Sequence, residues 1–169
     1  MEKEESILVG KCDNIVILRI YGKGDFINSQ YVKDYIYNLL ESENPEIIID
    51  LSQCSTMDST FMGTLAGISS KLMQKKLHKL ILLNMNSHIE ALLKNLGLLY
   101  ILDSRNKIEP PISSEMKPID MQELSKTNCI IHMIEAHEKL IEADSKNEVK
   151  FESVLNLLKK KLNSYIGNR

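Results

Sequence analysis

The sequence predicts a mixed β-sheet packed with α-helices, an α/β class, followed by a C-terminal amphipathic helical extension. Two patterns carry that prediction. After an opening pair of strands, short β-branched runs alternate with segments of helical periodicity, which is how a mixed sheet with helices packed on it is built. A proline-bearing polar stretch then separates this region from two further helical patterns.

Residues 7–10 and 14–21 are predicted strands, and Lys11-Cys12-Asp13 between them suits a hairpin turn. Gly22-Lys23-Gly24-Asp25 breaks the second strand. Val32, Tyr35, Ile36, Leu39 and Leu40 then recur at helical spacing, and Asn44-Pro45 ends that helix. Ile47-Ile48-Ile49 lacks polar alternation, as a central strand covered on both faces does. A second helix is expected over 59–76 and a strand over 79–84. Ser87-x-x-Glu90 reads as a capping box, with Ile89, Leu92, Leu93 and Leu96 inward and Gly97 closing the helix. Residues 98–102 are expected to add an edge strand.

Residues 1–105 thus form the sheet domain. Residues 106–118, with Pro110, Pro111 and Pro118, read as a linker, and 119–169 as the helical extension. In the extension, Asp120-x-x-Glu123 can cap a helix that buries Ile130, Ile134, His137 and Ile141. Ser145-x-x-Glu148 can open another, with Phe151, Val154, Leu155, Leu158, Leu162, Tyr165 and Ile166 on one side. Such stripes must dock, on the sheet domain or on a second copy as a homodimer.

Composition narrows the function. Apolar residues make up 43% and charged residues 26% of 169, ordinary for a globular protein. A net charge of −2 gives no basic surface for nucleic acid. No apolar run reaches the ~18–20 residues of a membrane span. The acidic Met1-Glu2-Lys3-Glu4-Glu5 is no secretory leader. The three irregularly spaced cysteines suit reduced thiols, so a cytoplasmic location is expected. No cofactor is expected either. Catalytic and metal roles are not expected: the chain has no Gly-x-Ser-x-Gly elbow and no Cys-x-x-Cys, and Gly22-Lys23-Gly24 lacks the phosphate-loop spacing. His78, His88, His132 and His137 are scattered, the last two five residues apart rather than on one helix face. Lys159-Lys160-Lys161 reads as a solvated helix face.

One segment stands out. Ile47-Ile48-Ile49-Asp50-Leu51-Ser52 runs from a buried strand into a polar turn, and Asp58-Ser59 follows at the start of a helix, with Gly63 one turn on. A hydroxyl at a helix N-terminus lies where unpaired N–H groups favour an anion. At ~100° per residue, Phe61, Leu65, Ile68 and Leu72 share one face while Ser59, Gly63, Ala66, Gly67 and Ser70 share the other. Two mid-helix glycines cost about 1 kcal/mol each against alanine, and a face that another protein's backbone approaches closely would account for them.

This Asp-Leu-Ser-x5-Asp-Ser-x3-Gly pattern resembles the STAS family of bacterial anti-sigma-factor antagonists, over roughly residues 7–105. The resemblance implies a STAS-like fold and a non-enzymatic switch. Ser59 matches the serine that a partner kinase phosphorylates, and Gly22-x-x-Asp25 resembles a loop beside the partner surface. The expected partner-binding residues are therefore Asp25, Asp58, Ser59, Thr60, Gly63 and Gly67. The implied partners are an anti-sigma factor that doubles as a serine kinase and a PP2C-type phosphatase. Phe61 stands where the family often carries glycine. A constitutive STAS scaffold or dimerisation module, never phosphorylated, is the alternative.

Overall fold

The computed structural model describes residues 7–107, 109–110 and 115–167. Strands β1 (Ile7–Cys12) and β2 (Ile15–Ile20) form the expected hairpin, with Ile7 opposite Ile20. Asp13 takes the tight turn at φ 51°, a conformation its short polar side chain tolerates. A three-residue strand, β3 (Gly22–Gly24), precedes α1 (Phe26–Ser42). There follow β4 (Glu46–Asp50), β5 (Cys54–Met57), α2 (Ser59–Gln74), β6 (Ile81–Leu83), α3 (Ser87–Asn95), β7 (Asp103–Arg105), β8 (Lys117–Pro118), α4 (Lys126–Ala143) and α5 (Asn147–Ile166).

The main sheet runs β7-β6-β4-β2-β1-β8, parallel from β2 to β7 and antiparallel at β1 and β8. Strand alternation splits the buried side chains as the pleat requires. Val16, Leu18, Ile20, Ile47, Ile49 and Leu82 join the main core with the helices. Ile17, Ile48, Ile81 and Leu83 form a second cluster with Ile15 and Met116. Phe61, Leu65, Ile68 and Leu72 of α2 are fully buried in the main core, as their shared face predicts.

Several expectations are corrected. Residues 98–102 form turns rather than a strand, and the edge strand is β7, immediately after them. Three caps differ: Asn86 caps α3 by accepting from the Ile89 N–H, and Ser125 caps α4 by accepting from Asn128. No side chain caps α5, whose N-cap is Lys146. In each case a nearer residue with the required extended geometry, or a tight turn, displaces the Ser/Asp-x-x-Glu signature. Lys117–Pro118, inside the stretch read as linker, pairs with β1, and the Ile119 N–H donates to the Ile7 carbonyl at 2.9 Å. β3 and β5, at three and four residues, are too short to carry a periodicity in the sequence. Their parallel pairing brings Gly24–Asp25 beside Met57–Asp58, and the Asp58 N–H donates to the Gly24 carbonyl.

Helix α4 packs on α2 and α1, and α5 packs on α4. Two stripes of α4 are used. Ile130 and Ile134 meet Leu155 of α5, flanked by Leu158 and Leu162, while His132, Ala136 and Leu140 are buried toward the sheet domain. Phe151 is half-buried, whereas Val154, Tyr165 and Ile166, expected inward, are exposed. Asn147, 1% exposed, anchors the α4–α5 corner by donating to the carbonyls of Leu96 and Leu140. Gly97 (φ 70°) lies against that corner, where an added Cβ would sit 2.4 Å from an Asp144 carboxylate oxygen. The extension is therefore packed on the domain.

Candidate functional site

Two helix N-termini meet at the β3–β5 ribbon. Asp25 caps α1, its carboxylate accepting from the N–H groups of Ile27 and Asn28 at 3.0 and 2.9 Å. Asp58 caps α2 by accepting from the Phe61 N–H at 2.8 Å. Burial pushes the Asp58 carboxyl above its ordinary range, and the neighbouring Asp25 charge adds to this. N–H groups of Phe61, Phe26 and Thr60 pull it back down. Asp25 and Asp58 thus act as helix caps at one corner, and Ser59 is the first residue of α2 beside them.

Phe61 does not stand over the serine. Its ring is fully buried and packs under Gly24, where an added Cβ would lie 3.0–3.2 Å from three ring carbons. Its bulk is absorbed by the core and leaves the outer face of α2 unchanged. Thr60 is buried, its carbonyl accepting from the Thr64 hydroxyl at 2.8 Å.

That outer face is covered by α4. The glycine-rich stripe does receive a close-approaching backbone, but the backbone belongs to this same chain. An added Cβ at Gly63 would sit 2.1 Å from the Ala136 carbonyl oxygen, so the seating of α4 requires glycine there. Gly67 lies under Lys139 and the Tyr37 hydroxyl, at 3.4 and 3.5 Å from an added Cβ. Ser59 is half-buried, and its Oγ lies 3.0 Å from His137 Nε2.

The hydrogen-bond directions follow from what each partner can do. The Met133 carbonyl only accepts, so His137 Nδ1–H donates to it at 2.6 Å. In the neutral ring Nε2 is then the acceptor, and the Ser59 hydroxyl donates to it. The Phe151 ring packs edge-on against this imidazole at 5.1 Å. A second histidine supports the same seam. The hydroxyls of Ser29 and Thr64 spend their protons on the carbonyls of Phe26 and Thr60. His132 Nε2–H therefore donates to Ser29 Oγ at 2.7 Å, with Thr64 Oγ1 at 3.4 Å. Nδ1 of His132 is buried and has no hydrogen-bond partner among the described residues. Burial, aided by the Lys33 charge, lowers the pKa of His132 from 6.5 to about 4.

The structure brings Asp25, Asp58, Ser59, Thr60 and Gly63 together, with Gly67 one turn further along α2. The two histidines were not among the expected site residues. Ala136 and Leu140 follow His132 at i+4 and i+8, a second stripe that could have exposed it. Among the described residues, no group of three or more His, Cys, Asp or Glu could hold a metal ion. No described helix is long and apolar enough to cross a membrane.

The sheet order, and the strand and turn that deliver Asp58-Ser59 to the start of α2, define a STAS-type α/β domain. The chain belongs to the STAS domain family, which matches residues 6–114, more than half of its length. The match stops before β8, α4 and α5. Solved structures share the fold, three of them as follows. A putative anti-sigma factor antagonist from Thermotoga maritima is 20% identical, with a TM-score of 0.53 over 59% of this chain and 85% of that one. The anti-sigma factor antagonist SpoIIAA in its unphosphorylated form is 18% identical, with a TM-score of 0.53 over 60% and 90%. A serine-to-glutamate variant of RsbS from Moorella thermoacetica is 17% identical, with a TM-score of 0.52 over 60% and 87%. No curated protein matches the chain.

Proposed function

We propose that this chain is a cytoplasmic anti-sigma-factor antagonist whose switch residue, Ser59, is stored beneath its own C-terminal helices. The observation that carries this reading is the Ser59–His137 hydrogen bond, set in a seam that Gly63 allows to close. In the open form, the unphosphorylated α2 face binds an anti-sigma factor that doubles as a serine kinase. A phosphate on Ser59 adds about −1.5 to −2 charges at pH 7, and desolvating it against that partner weakens the complex. A PP2C-type phosphatase restores binding. The chain supplies a surface and an acceptor hydroxyl rather than catalytic groups. The orienting group behind His137 is a main-chain carbonyl, not the buried carboxylate of a hydrolytic triad.

Because α4 occupies the face, partner and α4 compete for it. Ser59→Asp is expected to weaken binding of the cognate anti-sigma factor at least tenfold in calorimetry, and Ser59→Ala to bind without regulation. Equal affinities for wild type and both variants would place the switch elsewhere. Treatment with the kinase and ATP, followed by intact mass and site mapping, is expected to show one phosphate, on Ser59.

The coverage of Ser59 favours a second reading, a constitutive STAS scaffold in which the serine is a permanent structural donor. Its dimer form would use what α5 leaves outward, notably Val149 and Leu157 at 88% and 67% exposure. Absence of phosphate on Ser59, together with a sedimenting dimer that Leu157→Glu dissociates, would decide for it.

A further inference from the structure

Away from Ser59, α2 and α4 diverge. They touch at Gly63 and Ala136, and beyond Gly67 the gap opens into a cleft of about 730 Å³. That volume lies within the ~300–1,000 Å³ of small-molecule sites. One wall is the second half of α2 (Ala66, Ser69, Met73), the other the last turns of α4 (Lys139, Glu142, Ala143). Tyr100 and Ile101 close the end, and the Tyr100 hydroxyl donates to the Ala143 carbonyl.

We infer that this cleft binds a small amphipathic anion, an apolar body carrying one carboxylate- or phosphate-type headgroup. Met73, Leu77, Ile101 and Ala143 offer the apolar body contact. Ser69, 7% exposed, lines the cleft, and among the described residues its buried Oγ has no hydrogen-bond partner. Two lysines, Lys76 and Lys79, line the cleft from the segment after α2, the Lys79 ammonium donating to the Tyr100 carbonyl at 3.0 Å, and Glu142, the one acid among the described lining residues, is paired with Lys139 at 2.8 Å. Several carbonyls at the two helix C-termini nearby already accept hydrogen bonds. Those of Leu72 and Met73 accept from Leu77 and Lys76, and that of Leu140 accepts from Asp144 and Asn147. Ser69 and Ser70 add neutral hydroxyl-bearing residues to the lining.

Since α4 supplies one wall, an occupied cleft holds α4 on α2 by mass action. That consequence for the switch rests on the reading that α4 shields Ser59; the binding itself does not.

Decanoate titrated into the full chain, followed by calorimetry and by amide shifts, is the test. One saturable site is expected, with shifts at 66–79, 100–101 and 139–143 and slower hydrogen exchange along α4. Lys76→Glu, at an exposed residue, should weaken binding at least tenfold, and Ser70→Trp, which fills the cleft from its half-exposed edge, should abolish it. Decanol and decyltrimethylammonium should bind at least tenfold more weakly than decanoate. The inference is overturned by absence of saturation, by equal binding of the three probes, by shifts confined to other surfaces, or by both variants binding like wild type. No sigma-pathway partner enters this experiment, so its failure leaves the Ser59 reading standing, and the converse also holds.

Discussion

Gly63→Ala is expected to lift α4 from α2 while the sheet-facing core stays intact. The added Cβ would lie 2.1 Å from the Ala136 carbonyl oxygen and 2.5 Å from its carbon, both main-chain atoms of α4. No rotamer change relieves a clash with a backbone. The helices must part by about 1 Å to reach ordinary van der Waals contact, which would stretch the 3.0 Å Ser59–His137 contact out of hydrogen-bonding range. Overpacking of this kind costs about 1–3 kcal/mol, more than the about 1 kcal/mol that alanine gains in helix propensity. Gly67→Ala, one turn on, should do the opposite. Its Cβ meets the flexible Lys139 side chain at 3.4 Å, so it should be neutral or stabilise by up to about 1 kcal/mol. Hydrogen exchange is the measurement: Gly63→Ala should speed amides of 130–140 at least tenfold while those of β2 and β4 keep their protection. Under the proposed function, Ser59 should also be phosphorylated faster in this variant. Identical exchange for both alanine variants would show that the Gly63 contact does not seat α4.

The contrast between these glycines marks what the sequence could and could not show. Facing is written in periodicity, so Phe61, Leu65, Ile68 and Leu72 were legible as the inner side of α2 and the small residues as its outer side. Periodicity says that a face is apolar or flat, not who covers it. A flat face suits the approach of another protein, and here it is covered by a helix more than 60 residues later in the same chain. The same gap explains the histidines. His137 was placed on the buried side of its helix, but its pairing with Ser59 spans 78 positions, and no local pattern encodes such a separation. β3 and β5 were too short to read, although their pairing is what sets Asp25 beside Asp58. Conversely, the strand–turn–serine pattern was legible because each part is local: a buried run, a cap and a first helical residue.

Acidification between pH 6.5 and 4 is expected to loosen α4 through His132. In the folded protein its pKa is about 4, against 6.5 for the free side chain, with burial the larger cause and Lys33 the smaller. Between those values the unfolded chain binds the proton and the folded one does not, so stability falls as pH falls. The contribution is fully present above pH 6.5 and is lost as pH drops through about 4. Over the whole window it is on the order of 3 kcal/mol, and about 2 kcal/mol of it should be gone at pH 5. The surroundings offer the imidazolium nothing. Lys33 of α1 is a cation already paired with Glu135 at 3.1 Å, the hydroxyls of Ser29 and Thr64 are acceptors already in use, and Nδ1 has no partner among the described residues. Asp58 works in the other direction, because its raised pKa makes the folded state the better proton acceptor as carboxylates titrate. Comparison with His132→Gln separates the two, since the amide can still donate to Ser29 but cannot titrate. Denaturant unfolding at pH 7 and pH 5 should show wild type losing about 2 kcal/mol more than the variant. Exchange at pH 5, corrected for the intrinsic rate, should rise first in α4 and at Ser59. A variant that loses as much stability as wild type over this interval would assign the acid sensitivity to other groups and remove His132 as the reason α4 loosens.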